Sequence, residues 1–183
     1  MFHRSARLLL RPAFLEDWQA VYQAINDPGI VRMLGSAPWP YREQDAREFV
    51  ALPQNPHAPR FAVTLPGERG SQLIGCIGID PCDDGVELGY WVARAYWQRG
   101  YATEAGLAMV EIARMLGHRR LHAGHATDNP ASGKVLKKIG FAPTGEICPQ
   151  FSKGRGEEMP VQRYVMDLDQ ARIDDPEPQL KAA

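Results

Sequence analysis

The segment Trp97-Gln98-Arg99-Gly100-Tyr101-Ala102-Thr103-Glu104 joins a glycine turn to the start of a long helical pattern. A turn that opens a helix leaves several backbone N–H groups without intrahelical partners, all pointing the same way. Together with the helix dipole they make an anion site, and a pyrophosphate suits it. Gly100 and Ala102 keep side chains small, so a ligand can reach the backbone, and Arg99 adds a cation at the mouth. Read alone, the segment is better taken as an ordinary strand-to-helix turn, because short glycine turns are common.

Other clusters carry less. His118, His122 and His125 are close in sequence, but on a strand His122 and His125 point to opposite faces, so no metal site is expected. Gly75-Cys76-Ile77-Gly78 lacks the third glycine and the following helix of a dinucleotide fingerprint. Cys76, Cys82 and Cys148 are odd in number and form no Cys-x-x-Cys pair. That argues against a disulfide framework or zinc ribbon and fits a reducing cytoplasm.

The chain has 183 residues, which suits one domain able to fold without disulfides or metal. Its net charge of −1 argues against a protein that grips nucleic acid through overall basicity. No apolar run approaches the ~18–20 residues of a membrane span. Leu8-Leu9-Leu10 is too short an apolar core for a signal peptide. Charge is nevertheless uneven: residues 1–93 carry −3, residues 94–138 carry +5, and residues 139–183 carry −3. A local basic patch inside a neutral protein suits a phosphate-bearing small molecule better than a polymer.

The elements around the turn are legible in outline. Residues 7–11 read as a first strand ended by Pro12. Phe14, Trp18, Val21 and Ile25 form one helical stripe, stopped by Asn26-Asp27-Pro28-Gly29. A loop from Ile30 to Tyr41 precedes a short helix over 44–52. Strands at 60–65, 72–79 and 86–92 are joined by turns that favour antiparallel hairpins. The long helix spans 102–116, followed by a strand at 120–126, a helix from Asn129 to Ile139 and extended segments from Phe141, the last at 160–168. This order gives an α+β fold with a mixed, mostly antiparallel central sheet and helices on both faces. Residues 170–183 read as an acidic, disordered tail.

In this context the turn gains meaning. The run from Glu87 through Tyr90, Trp91, Val92 and Gly100 to Ala105 resembles the acetyl-CoA-binding core of the GNAT N-acetyltransferase superfamily. Asn129-Pro130-Ala131-Ser132, with Gly140-Phe141 after it, resembles its next motif. The opening Leu-Arg-Pro and Pro38-Trp39-Pro40-Tyr41 fit as well, and the likeness covers about residues 5–168 in order. It is strongest to the branch of ribosomal-protein N-terminal-alanine acetyltransferases.

The resemblance implies an acetyltransferase domain over residues 1–169, acetyl-CoA as donor and a primary amine as acceptor, and allows a homodimer. It implies that Gln98, Arg99, Gly100, Tyr101, Ala102 and Thr103 hold the pyrophosphate, and that the strand carrying Tyr90, Trp91 and Val92 pairs with the pantetheine arm. Asn129 faces that arm or the acceptor, and Lys134, Lys137 and Arg99 are candidates for the 3′-phosphate by charge. Trp39 and Tyr41 are read as acceptor-lining, with core capping as the alternative. Glu87 is the candidate base. Many members carry a tyrosine acid where this chain has Leu136, so Ser132 is the candidate donor to the leaving sulfur. That lost tyrosine keeps a second class open, a non-catalytic acyl-CoA-binding or regulatory module.

Overall fold

The structure, a computed structural model, describes residues 1–68 and 70–169, so the expected tail at 170–183 lies outside the described residues. The strands are β1 (His3–Arg4), β2 (Leu9–Arg11), β3 (Arg60–Gly67), β4 (Gly70–Cys82), β5 (Gly85–Val92), β6 (Arg120–Ala126), β7 (Ala142–Ser152) and β8 (Glu157–Asp167). The helices are α1 (Trp18–Ile25), α2 (Pro28–Val31), α3 (Glu43–Ala51), α4 (Tyr101–Met115) and α5 (Pro130–Ile139), with 3-10 turns at Leu15–Asp17 and Arg94–Tyr96.

One eight-stranded sheet runs β1-β2-β3-β4-β5-β6-β8-β7. Among the described residues every pair is antiparallel except β5 with β6. A parallel pair needs a crossover, and α4 supplies it. That seam is short: Val86, Glu87 and Leu88 pair with Leu121, His122 and Ala123. Two antiparallel slabs therefore meet along three residue pairs, and beyond Leu88 the strands part.

Helices cover both faces, as the element order implies. α4 and α5 enclose one core with Leu10, Ile79, Met109, Ile112, Leu121 and Leu136. α4 lies close to α5 because Gly106 has no side chain: a Cβ there would overlap Ile139 Cδ1. On the other face α1, α2 and α3 enclose Val21, Ile25, Val31, Tyr41, Val50 and Trp91.

Two boundaries depart from the sequence reading. Phe14 is exposed, and the first helix is a 3-10 turn followed by α1 at Trp18. Asn26–Gly29 ends α1 as read, but the loop expected from Ile30 begins within a further helix: Asp27 caps α2, accepting from the Gly29 N–H at 2.7 Å, with Pro28 at the first helical position. The extended region expected after Phe141 is present as a long strand, β7, which forms the sheet edge with only Cys148, Gln150 and Ser152 sheltered to any degree.

Candidate active site

The parting of β5 from β6 builds the site. The Ala93 N–H donates to the Ile74 carbonyl at 2.8 Å, which sets the phase of the β4–β5 ladder. In an antiparallel ladder alternate residues turn their N–H and C=O away from the partner. Tyr90 and Val92 therefore present theirs to the side where β6 has left, a strand edge inside the protein. Trp91 does not share this position. Its backbone faces Cys76 on β4 and its side chain is in the α1–α3 core, 8% exposed. Strand alternation thus turns Trp91, expected beside the cofactor, away from the open edge.

The open edge leads into the glycine turn. Gln98 (φ 61°) and Gly100 (φ 80°) both adopt left-handed conformations, and α4 starts at Tyr101. The first N–H groups of α4 point into the turn, while the Glu104 N–H already bonds the Gly100 carbonyl at 3.0 Å. Sequence reasoning missed Arg7. Its Nη1 holds the Arg99 carbonyl at 3.1 Å, its Nε bonds Glu104 Oε2 at 2.7 Å, and its guanidinium lies over the Tyr101 ring. It brings a second cation beside Arg99. Glu104 is occupied by Ser5 Oγ and the Arg7 N–H, both at 2.7 Å. Burial alone would raise its pKa, but these donors outweigh burial and hold it below the usual range.

Trp97 has a defined task. Its indole Nε1 donates to the Val92 carbonyl at 2.6 Å, fixing the end of β5 to the turn. Arg94 lies over the Trp97 ring and reaches Asp27 Oδ1 through Nη2 at 2.6 Å. The cap of α2 and the glycine turn are tied by one guanidinium.

On the α5 side, Asn129 caps the helix, its Oδ1 accepting from the Ser132 N–H at 3.3 Å. That cap leaves its amide nitrogen for a ligand. Ser132 Oγ lies 2.7 Å from Tyr90 Oη across the gap. Lys134 and Lys137 are exposed on α5, and Leu136 is wholly buried. His125 packs under Gly133, which must lack a side chain to admit the ring, and stands 3.3 Å from Tyr164 Oη.

Glu87 lies on the opposite face of the sheet from Ser132, because it pairs in register with His122 and shares that face with Trp91. Arg163 Nη1 bonds Glu87 Oε1 at 2.7 Å, reaching across β6 over Gly124. A Cβ on Gly124 would stand 2.6 Å from Val161 Cγ1 and 3.2 Å from Arg163 Nη1, so glycine opens this path. Trp39 is 42% exposed, consistent with an accessible loop position. Tyr41 is 5% exposed and its ring is part of the α1–α3 core, so it does not line an open site. Burial pushes its phenol pKa up.

A clamp closes the far wall. Arg155, in the β7–β8 turn, donates to Asp128 Oδ1 at 2.8 Å, Asp128 Oδ2 at 3.0 Å and the Arg32 carbonyl at 2.6 Å. Arg155 holds the Asp128 carboxyl below its usual 3.8. Arg94 does the same for Asp27. A group with a lowered folded pKa adds stability that is complete above its unfolded value and lost as pH falls through the folded one. The melting temperature is expected to drop on acidification below about pH 4, and Asp128→Asn to flatten that drop. Parallel profiles for the two proteins would sink this assignment.

Relatives agree with this architecture. The N-acetyltransferase YnaD of Bacillus subtilis is 32% identical over 153 residues, 82% of this chain and 88% of its own. A GNAT-family acetyltransferase structure from Bacillus anthracis superposes with a TM-score of 0.79 and 27% identity, covering 92% of this chain and 99% of its own. The fold also matches RimL, a ribosomal L7/L12 alpha-N-protein acetyltransferase in complex with coenzyme A. There the TM-score is 0.74 and the identity 22%, over 92% of this chain and 99% of that one. Among the described residues no helix is long and apolar enough to cross a membrane. Residues 7–142 match the acetyltransferase (GNAT) domain family, a span that holds the parted strands, the glycine turn and the α5 motif, and the chain belongs to that family.

Proposed function

We propose that the protein moves an acetyl group from acetyl-CoA directly to a primary amine, with both bound at once. The observation that carries this reading is the strand edge at Tyr90 and the Val92 N–H, left by β6 and running into the Gln98–Thr103 turn, with the Val92 carbonyl held by Trp97. The pantetheine amides pair with that edge and the pyrophosphate lies on the α4 N–H groups. Arg99 balances its charge while Arg7, paired with Glu104, holds the Arg99 carbonyl, and Lys134 and Lys137 suit the 3′-phosphate. The Val92 N–H points at the developing oxyanion.

The amine approaches from the α1–α3 face, past Trp39. Glu87 takes its proton, directly or through a water. The N–C bond forms, the C–S bond breaks and coenzyme A leaves toward Ser132 on the other side of the gap. Holding both reactants in this way is worth up to ~7–11 kcal/mol of the barrier. The acceptor class is a protein N-terminus or a small amine, and the −3 charge of residues 1–93 suits a cation. One observation favours the alternative, a non-catalytic acyl-CoA-binding module: Leu136 is wholly buried and offers no proton.

Calorimetric titration with acetyl-CoA is expected to give one-to-one binding. At 100 Kd of ligand, stability should rise by about 2.7 kcal/mol. No heat and no melting shift at millimolar acetyl-CoA would overturn both readings. Binding without thiol release across a panel of peptides and amines would favour the module.

A further inference from the structure

The Tyr90–Ser132 hydroxyl pair is the one polar link that crosses the gap from β5 to α5 among the hydrogen bonds of the described side chains. Tyr90 lies just beyond the last residue pair of the seam, and Ser132 is in the first turn of α5. Two constraints fix the pair. The Asn129 cap holds the Ser132 backbone, and the α4–α5 core packs against the Tyr90 ring. At 2.7 Å between oxygens the bond has the ordinary O–H···O length. Either oxygen can donate, Tyr90 Oη also stands 3.4 Å from the Ser132 carbonyl as a longer alternative, and the two directions between the hydroxyls differ in consequence. When Tyr90 donates, the Ser132 proton is free to point elsewhere. When Ser132 donates, its proton is spent on Tyr90.

The geometry points to Tyr90 as the positioning residue that turns the Ser132 O–H toward the leaving sulfur, an inference that rests on the acetyl-transfer reading of this site. A phenol is the better donor of the two. Burial pushes the Tyr90 pKa up to about 12, so it stays protonated across the working range. It does not surrender that proton to a coenzyme A thiolate, whose pKa is about 8.5. The step is therefore hydrogen-bond donation without relay. The C–S bond breaks, the electron pair stays on sulfur, Ser132 O–H donates to it, and the thiolate leaves charged. The amine proton goes to the base on the other face. The tyrosine hydroxyl that Leu136 cannot offer from α5 here acts on the sulfur through Ser132, from the strand across the gap.

The test isolates the leaving-group end. Hydroxylamine is uncharged at neutral pH and small, so it needs neither Glu87 nor an acceptor pocket. Thiol release from saturating acetyl-CoA with hydroxylamine is followed in wild type, Tyr90→Phe, Ser132→Ala and the double variant, each checked for acetyl-CoA affinity by calorimetry. Tyr90→Phe is expected to lower kcat about 10-fold and Ser132→Ala about 30-fold, with acetyl-CoA affinity held within twofold. The double variant is expected to fall within twofold of Ser132→Ala. An equal 10-fold loss from Tyr90→Phe in both backgrounds means a merely structural tyrosine and overturns the proposal. So does a native rate for Tyr90→Phe beside a slow Ser132→Ala, and that result leaves the acetyl-transfer reading standing. A native rate for Ser132→Ala removes Ser132 from the chemistry and Tyr90 with it. A wild-type rate no faster than buffer overturns the reading of the site itself.

Discussion

Glu87→Gln is expected to slow acetyl transfer by about 10²–10⁴-fold while leaving acetyl-CoA affinity unchanged. The substitution keeps the shape of the side chain, and the new amide oxygen still accepts from Arg163 Nη1, the partner of Oε1 at 2.7 Å in the native protein. What it removes is the capacity to accept a proton from an ammonium. The loss should therefore shrink as pH rises toward the pKa of the acceptor amine, where the nucleophile arrives already neutral. The measurement is thiol release as a function of pH, with calorimetry to verify binding. A variant that transfers at the native rate near neutral pH would dismiss Glu87 as the base. Attention would then pass to the other titratable groups on that face.

Gly75→Ala is expected to cost about 3 kcal/mol, the upper range for overpacking, and to lower the melting temperature by about 6–12 °C. A Cβ at Gly75 would overlap the Trp91 carbonyl oxygen and stand 3.1 Å from the Val92 Cα. Both obstacles are backbone, so no rotamer change relieves them and β5 must move away from β4. The displaced residues, Trp91 and Val92, are those next to the open edge. Acetyl-CoA affinity should therefore fall with stability, by about tenfold for each 1.4 kcal/mol of lost contact. Gly89→Ala is the control, because a Cβ there meets nothing within 4 Å. Its melting temperature should stay near native. Equal melting temperatures for the two variants would show that the close approach at Gly75 carries no strain.

Local signals were enough for the glycine turn, for both long helices and for the hairpins, because each is encoded within a few residues. Asp27-Pro28 is an instructive case. An N-cap followed by proline at the first helical position is a start signal, yet Asn26 to Gly29 is also a list of turn formers, and tertiary packing of Ile30 and Val31 decides for α2. Partnerships across the chain have no such local code. Arg7 meets the Arg99 carbonyl over 92 positions, Arg163 meets Glu87 over 76, and Tyr90 meets Ser132 over 42. Trp39 and Tyr41 share one loop and one composition, but only packing tells the exposed ring from the buried one. The separation of Trp91 from Tyr90 and Val92 needed the phase of a ladder, which one added residue would invert.

The edge strand β7 has a consequence for solubility and for assembly. A long exposed edge invites another chain to extend the sheet, the first step toward aggregation. Pro149 sits opposite Pro160, whose carbonyl is taken by the Thr127 N–H on the β6 side. By alternation, Pro149 then turns its backbone to the open edge, where it has no N–H to give. The register also breaks between Pro143 and Ile147, around Gly145 at φ 88°. An incoming strand meets a missing donor at one point and a twist at another. Both features interrupt the edge without covering it, so any strand that pairs there must pass a missing donor at Pro149.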